Sequence, residues 1–478
     1  MGMYEVLSPI FRLLPEVPRP KRKLSVRERL FWTGIVLVLY FVMSQIPLYG
    51  IEWKGSQFQP LLFFQVVMAS KRGTLMELGI GPIVTAGIIW QLLVGSKIIP
   101  IDVTSKEGRI LFTGTQKILA ILFAAFEALA YIFGGAYGRL SSYQATVIFA
   151  QLMIVSIIIL LMDEMLQRGW GFGSAISLFI AAGVAQQIFW EMIAPIPLGD
   201  GLMVGVIPSL AYASYYYLST GNGTLLNRAI MRPTGYPDLI GLMAMIGFVL
   251  LLTLLESVRV EIPVVATRYG SYRSRIPLKF LYVSNLPVIL VSALYADLII
   301  FTQSLWPRIN PGNTNPWLNM IAMYNYTRGS YQPVGGLVYY IYPPRSLSAA
   351  MADPLRALTA AIAFTTLSVL FAVAWVMTSG MDPESQAEQL VKSELQIPGF
   401  RKSKKVLAAV FKRYVWPLTI VSGLLVGLIG VISDIVGALG SGIGILLMVG
   451  ILVQYYTLLV REQALEMYPM LAKIVGER

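Results

Sequence analysis

Residues 78–93 read Leu78-Gly-Ile-Gly-Pro-Ile-Val-Thr-Ala-Gly-Ile-Ile-Trp-Gln-Leu-Leu93, a run without a charge. Gly79, Gly81 and Pro82 crowd one end, where a helix is most easily interrupted. At membrane depth such a break is tolerated only where protein or a water-filled cavity surrounds the backbone. The run therefore reads as a membrane span whose broken end lines a cavity; generic packing glycines are the plainer alternative.

The rest of the chain agrees with a membrane. Of 478 residues, 56% are hydrophobic and 13% charged, and mean hydropathy is +0.68. Average soluble domains carry about 25% charged residues. A span needs roughly 20 apolar residues, and ten stretches qualify: approximately 31–50, 76–96, 110–134, 144–163, 174–194, 238–257, 280–304, 354–379, 415–436 and 440–460. The charges within them include Lys117, Glu127, Asp163, Asp297 and Asp434, with Glu77, Glu191, Asp238, Glu256 and Arg356 at or near the ends of their stretches. Residues 1–30 hold seven basic residues, and the apolar run that follows lacks a small-residue cleavage site. It is expected to stay as the first span.

Charge sets the orientation. With ten spans and both termini cytoplasmic, 27 of the 37 basic residues fall on the cytoplasmic side. An eleventh candidate, 202–219, contains Pro208 and ends in Tyr215, Tyr216 and Tyr217. Counting it as a span would turn the basic loops outward, against the positive-inside rule. It is expected to be external, lying on the surface or dipping back. The short apolar stretch Pro60–Met68 is too short to cross and reads as a helix dipping into the bundle from outside. The expected parts are a cytoplasmic segment 1–30, a first half 31–196, an external loop 197–237, a second half 238–460 and a cytoplasmic tail 461–478. The loop 305–352, rich in Asn, Pro, Gly and Tyr, reads as an ordered external cap. Two cytoplasmic loops, about 258–279 and 380–414, are long and basic. Ordinary orientation charge accounts for the charge but not the length, which favours docking of a polyanion or acidic partner.

The chain has no His and no Cys. That removes disulfides, imidazole and thiolate metal sites, and His- or Cys-based catalysis. Gly440-Ser-Gly-Ile-Gly444 joins two apolar spans and is no nucleotide loop. Gly423/Gly427 and Gly440/Gly444 read as close helix-packing pairs. No catalytic residue, metal or cofactor is expected.

Together with Gly171-Phe-Gly-Ser-Ala-Ile-Ser-Leu-Phe-Ile-Ala-Ala-Gly183 and Arg275-Ile-Pro-Leu-Lys-Phe-Leu-Tyr-Val-Ser-Asn-Leu-Pro-Val-Ile289, the opening string resembles the SecY family in its archaeal and eukaryotic form. That family is the large subunit of the protein-conducting channel, and the resemblance covers nearly the whole chain. It implies an all-α polytopic protein with ten transmembrane helices in two five-helix halves, a clamshell around an hourglass pore. The implied pore ring falls on Ile80, Val84, Ile176, Ile180, Ile289 and Leu447, with Leu446 a neighbouring candidate. Ile80/Val84 and Ile176/Ile180 are i,i+4 pairs, so each pair shares a helix face. Bulky aliphatics can close a pore by dewetting while offering no specific hydrogen bond to a passing chain.

The resemblance also implies a plug helix at about 59–70, meeting the ring through Leu61, Leu62, Phe63, Phe64, Val66 and Val67. It implies a lateral gate lined by Thr85, Glu127 and Asp297. Members often carry Asn or Gln there, and two acids close together in low dielectric cannot both ionise cheaply. The implied ribosome-docking residues are Arg268, Arg273, Arg275 and Arg401, whose guanidinium groups suit phosphate. The implied partners are a SecE-type small subunit and a beta subunit (a heterotrimer), the ribosome with its RNA, signal sequences and nascent polypeptides, and the lipid bilayer; the implied site is the plasma membrane. The alternative is a secondary transporter of ions or small solutes using Glu127 and Asp297 as a proton relay.

Overall fold

A computed structural model of the chain describes residues 9–11, 14–51, 68–95, 98–101, 105–134, 137–138, 140–198, 201–232, 236–266, 272–283, 285–327, 330–344, 346–392, 395–398 and 403–467. The first half holds α1 (Val26–Met43), α2 (Gly81–Gly95), α3 (Lys106–Gly134), α4 (Ser142–Met165) and α5 (Ala175–Ile193). Next comes α6 (Val206–Thr220), the stretch excluded from the spans, which packs beside α5 and α7 (Leu239–Ser257). The second half continues with α8 (Leu286–Ile309), α9 (Pro354–Thr378), the amphipathic α10 (Pro383–Lys392), α11 (Lys404–Val436) and α12 (Gly442–Met467). Every expected span falls on one of these helices. Eight helices among the described residues are long and apolar enough to cross a membrane; α2 is shorter, and α1 opens on Arg27, Glu28 and Arg29.

Local chemistry sets the ends where hydropathy did not. Ser25 and Glu28 form a capping box that starts α1 at Val26, five residues before the expected span. Ser141 and Gln144 do the same for α4. The second span starts at Gly81 rather than 76. Gly79 adopts φ +55, and a Cβ there would run into the Met68 carbonyl. Residues 68–80 are folded back on themselves, with the Ile80 amide donating to the Met68 carbonyl at 2.8 Å and the Lys71 amide to the Met76 carbonyl at 2.9 Å.

Three of the charges inside the spans, Asp163, Asp434 and Lys117, are structural. Asp163 accepts from Ser174 at 2.6 Å and from the Ile176 amide at 3.3 Å, capping α5. Asp434 accepts from the Gly442 amide at 2.6 Å and caps α12. Lys117 pairs with Glu164 at 2.8 Å. Both caps satisfy first-turn amides that would otherwise lie unpaired. Glu127 and Asp297 remain.

The basic loops are ordered where they are described. The strands β1 (Arg259–Ala266) and β2 (Tyr272–Lys279) form an antiparallel hairpin, and β5 (Leu395–Gln396) adds to β1. A second hairpin, β3 (Met323–Thr327) with β4 (Ser330–Gly335), lies in the 305–352 loop. These strands are additions to the helical bundle. Ile262 and Val264 alternate with exposed Glu261 and Pro263 and pack with Leu278, Leu390, Leu407 and Phe411 in one apolar core. The hairpin, α10 and the start of α11 are therefore one unit at what is called here the basic end.

Small residues set the helix approaches. A Cβ on Gly423 would lie 2.9 Å from the Val369 Cα, and one on Gly427 2.8 Å from the Thr365 Cα, so α11 rests directly on α9. Gly440 and Gly444 meet Ile188 and Val184 of α5, bringing α12 against the first half. Both pairs pack as the sequence indicated.

Candidate pore and lateral seam

The six ring residues come from widely separated parts of the chain. Ile80 ends the folded-back turn, Val84 lies one turn into α2, Ile176 and Ile180 lie on α5, Ile289 opens α8 and Leu447 lies in α12. The fold brings all six to a single apolar core. Ile80, Ile180 and Leu447 are fully buried there and Ile289 nearly so, with Val84 and Ile176 packed against them. Leu446 is buried in the same core. Elements of both halves thus contribute to one apolar core. These six side chains carry no polar atom, so what they contribute to that core is burial and dispersion.

Met68 and Ala69 join this core. They close the segment expected to act as a plug; Leu61, Leu62, Phe63, Phe64, Val66 and Val67 lie outside the described residues. Beside Met68 and Ala69 is a charged group that hydropathy did not single out. Glu77 lies in the turn before α2 with its side chain 1% exposed, 3.6 Å from Arg72. It accepts from the Gly73 amide, and the Arg72 guanidinium lies 6.0 Å from the Tyr131 ring centre. Burial pushes the Glu77 carboxyl up to about 7, against the opposing pull of Arg72. Two opposite charges five residues apart across a Gly-Thr turn were the available signal, masked by assigning the stretch to a span.

The seam between the halves is formed by α2 and α3 on one side and α8 and α9 on the other. Thr85 donates to the Asp297 carboxylate at 2.9 Å across it. Glu127 of α3 approaches the start of α2, where a Cβ on Gly81 would lie 3.5 Å from its carboxyl oxygen. The expected trio therefore meets at one place, with the acid of α3 against a helix N-terminus. Near the basic end, a Cβ on Gly95 of α2 would overlap the Thr378 side chain of α9. That glycine lets the helices touch.

On the opposite side the halves are tied. Tyr455 of α12 donates to the Ser174 carbonyl at 2.8 Å. The Gly440 amide donates to Glu191 at 2.7 Å. Arg29 of α1 pairs with Glu462 of α12 at 3.0 Å. Among the described residues, this edge carries two hydrogen bonds and an ion pair, and the α2/α3–α8/α9 edge carries helix packing, the close Gly95–Thr378 approach and the Thr85–Asp297 bond.

Of the expected docking arginines, Arg275 stands on β2, exposed and paired with Glu261 at 2.5 Å. Arg273 lies on the same strand. Arg268 and Arg401 lie outside the described residues.

Comparisons with known proteins agree with this geometry. A family model described as SecY matches residues 74–456, and one described as the plug domain of Sec61p matches residues 38–73. The protein translocase subunit SecY of Aeropyrum pernix is 42% identical over 482 residues, covering 100% of this chain and 99% of the relative. A solved structure described as "The structure of a protein conducting channel" has a TM-score of 0.79 at 38% identity, covering 98% of this chain and 99% of that one. One described as "Sec61 in the Canine ribosome-channel complex from the endoplasmic reticulum" has a TM-score of 0.77 at 37% identity, covering 98% and 99%. The chain is a multi-pass membrane protein and belongs to the SecY family.

Proposed function

We propose that this chain is the central, pore-forming subunit of a protein translocation channel. It passes unfolded secretory polypeptides across the membrane and releases transmembrane segments sideways between α2/α3 and α8/α9. The observation that carries this is that Ile80, Val84, Ile176, Ile180, Ile289 and Leu447, from both halves of the chain, belong to or pack against one apolar core. An aliphatic constriction seals when empty and has no preference for the sequence passing through it. The chain acts as a passive conduit and not as an enzyme, so the driving energy comes from a partner.

Residues 31–196 and 238–460 are the two moving halves in this proposal, with 1–30, 197–237 and 461–478 as flanking and linking segments. The segment 59–70 is the plug, and Thr85, Glu127 and Asp297 are the polar centre of the lateral gate. The basic end faces the cytoplasm of a plasma membrane, with both termini on that side. Arg268, Arg273, Arg275 and Arg401 dock a ribosome, as the ribosome-channel relative supports. A SecE-type subunit and a beta subunit complete the complex. The secondary-transporter alternative for Glu127 and Asp297 finds no support in the family matched.

The test is a photo-crosslinking amino acid at Val84, in protein reconstituted with its small subunits and given ribosomes bearing stalled, signal-containing chains. Adducts that depend on chain length and signal are expected. With ribosomes bound and a control chain engaged, absence of an adduct at Val84 would remove the pore assignment.

A further inference from the structure

At the basic end an open groove of about 560 Å³ lies between α10 and α11. Its α11 wall carries Lys405, Lys412 and Trp416, and its α10 wall carries Glu384. Lys405 and Lys412 are seven residues apart, two turns on one face and about 10 Å along the axis. Trp416 follows one turn below Lys412. Trp416 also packs against the apolar core of the basic end, which fixes that side of the groove.

The charges are not used up internally. Lys404, at the top of the groove, is engaged by Glu388 at 2.5 Å, and Glu388 also holds Lys392 at 2.9 Å. Lys405 and Lys412 are exposed and have no ion-pair partner among the described residues. Among the described residues, Glu384 is the one carboxylate lining the groove, so the two lysines leave it net positive.

Depth selects the occupant. After Arg413 the sequence of α11 has no charge until Asp434. Exposed Tyr414, Ile420, Val421 and Leu424 then form its outward face. The groove thus opens where the helix passes from charged to apolar, with an indole at the boundary, the ordinary position of interfacial Trp. A polynucleotide docked on the loops would meet Lys405 but would have no reason to reach down to Trp416. A lipid spans both levels, with phosphate among the ammonium groups and acyl chains along the apolar face.

We propose that this groove binds the phosphate headgroup of an anionic lipid from the leaflet at the basic end, with Lys405 and Lys412 as ligands and Trp416 bounding the glycerol region. Lysine suits this task as a mobile point charge that follows a fluid headgroup.

The test is native mass spectrometry of the full chain in detergent, titrated with dioleoyl phosphatidylglycerol or dioleoyl phosphatidylcholine. The Lys405→Gln/Lys412→Gln double variant is compared with an Arg19→Gln/Lys21→Gln variant, which removes equal charge elsewhere. The first variant is expected to weaken phosphatidylglycerol binding about tenfold and the second to leave it within about twofold, with phosphatidylcholine weak throughout. Both altered lysines are exposed, so melting temperatures should match; a Lys412→Gln single variant should give an intermediate loss if the double variant does not fold. Equal loss in both double variants would overturn the site in favour of general charge attraction. Full displacement of the lipid by glycerol 3-phosphate would overturn it in favour of a soluble phosphate. Unchanged lipid binding with lost ribosome co-sedimentation would overturn it in favour of polyanion docking. Each of these outcomes leaves the channel assignment at Val84 standing.

Discussion

Replacing Gly95 with Leu should part the seam at the basic end. A Cβ at this position would lie 3.0 Å from the Thr378 Cα and closer still to its side chain. Ordinary apolar contact is about 4 Å, so the first carbon alone demands a separation of about 1 Å, and the full Leu more. Overpacking of this kind costs about 1–3 kcal/mol. Within one helix pair that cost would appear as lost stability. Here α2 and α9 belong to opposite halves, so separation relieves it. The closed-to-open ratio should fall roughly 5- to 100-fold. The chain has no native Cys, so nitroxide labels can be placed at Ile89 of α2 (37% exposed) and Leu370 of α9 (59% exposed) without background. Pulsed dipolar spectroscopy should show a population longer by about 2 Å, and adding Thr378→Gly should restore the original distribution. An unchanged distance together with a lowered melting temperature would refute the argument, because the strain would then be absorbed within one half.

Thr85→Val removes the donor at 2.9 Å from Asp297 and should cost the closed seam about 1.5–3 kcal/mol; the same labels should report more of the long population. Glu77 has its carboxyl raised from 4.5 to about 7 by burial, so between those pH values the folded protein binds more protons than the unfolded chain. Its stabilising effect is complete below the lower value and lost as pH rises through the upper one, by about 3 kcal/mol in all. Melting temperature measured from acid to neutral pH should fall, and Glu77→Gln should flatten the slope; an equally steep slope in the variant would assign it elsewhere. Gly427→Val should lower the melting temperature, since its Cβ would lie 2.8 Å from the Thr365 Cα. Gly34→Ala, with nothing within 4 Å of the added carbon, should leave it unchanged or raise it by the helix-propensity gain of up to about 1 kcal/mol.

The spans were legible because ten long apolar stretches have few alternative fates in one chain, and Gly79-Ile-Gly-Pro82 announced the break before α2. Gly423/Gly427 and Gly440/Gly444 announced close helix contacts through their spacing. Helix starts were not legible from hydropathy, because Ser25, Asp163 and Asp434 set them through a few local hydrogen bonds. Asp163 and Asp434 look in sequence like costly membrane acids; only the fold shows that they satisfy helix amides, leaving Glu127 and Asp297 as the pair at the seam. Alternation along Arg259-Val-Glu-Ile-Pro-Val264 is visible once the hairpin is known, but the surrounding arginines read more readily as a solvated loop. The Gly95–Thr378 contact joins residues 283 positions apart, and no local pattern marks it.

The apolar core at the basic end has a mechanical consequence. It runs from Ile262 to Leu418 and, among the described residues, takes no side chain from the first half. The β1/β2 hairpin and α10 are therefore rigidly coupled to α9 and α11 and act as a handle on one shell of the clam. A heavy body gripping that handle would hold the second half still and leave the first to swing about the Ser174–Tyr455 and Glu191–Gly440 bonds. Torque applied to the handle would likewise be delivered to the α2–α9 edge, while the edge bonded through Ser174–Tyr455 and Glu191–Gly440 served as the axle.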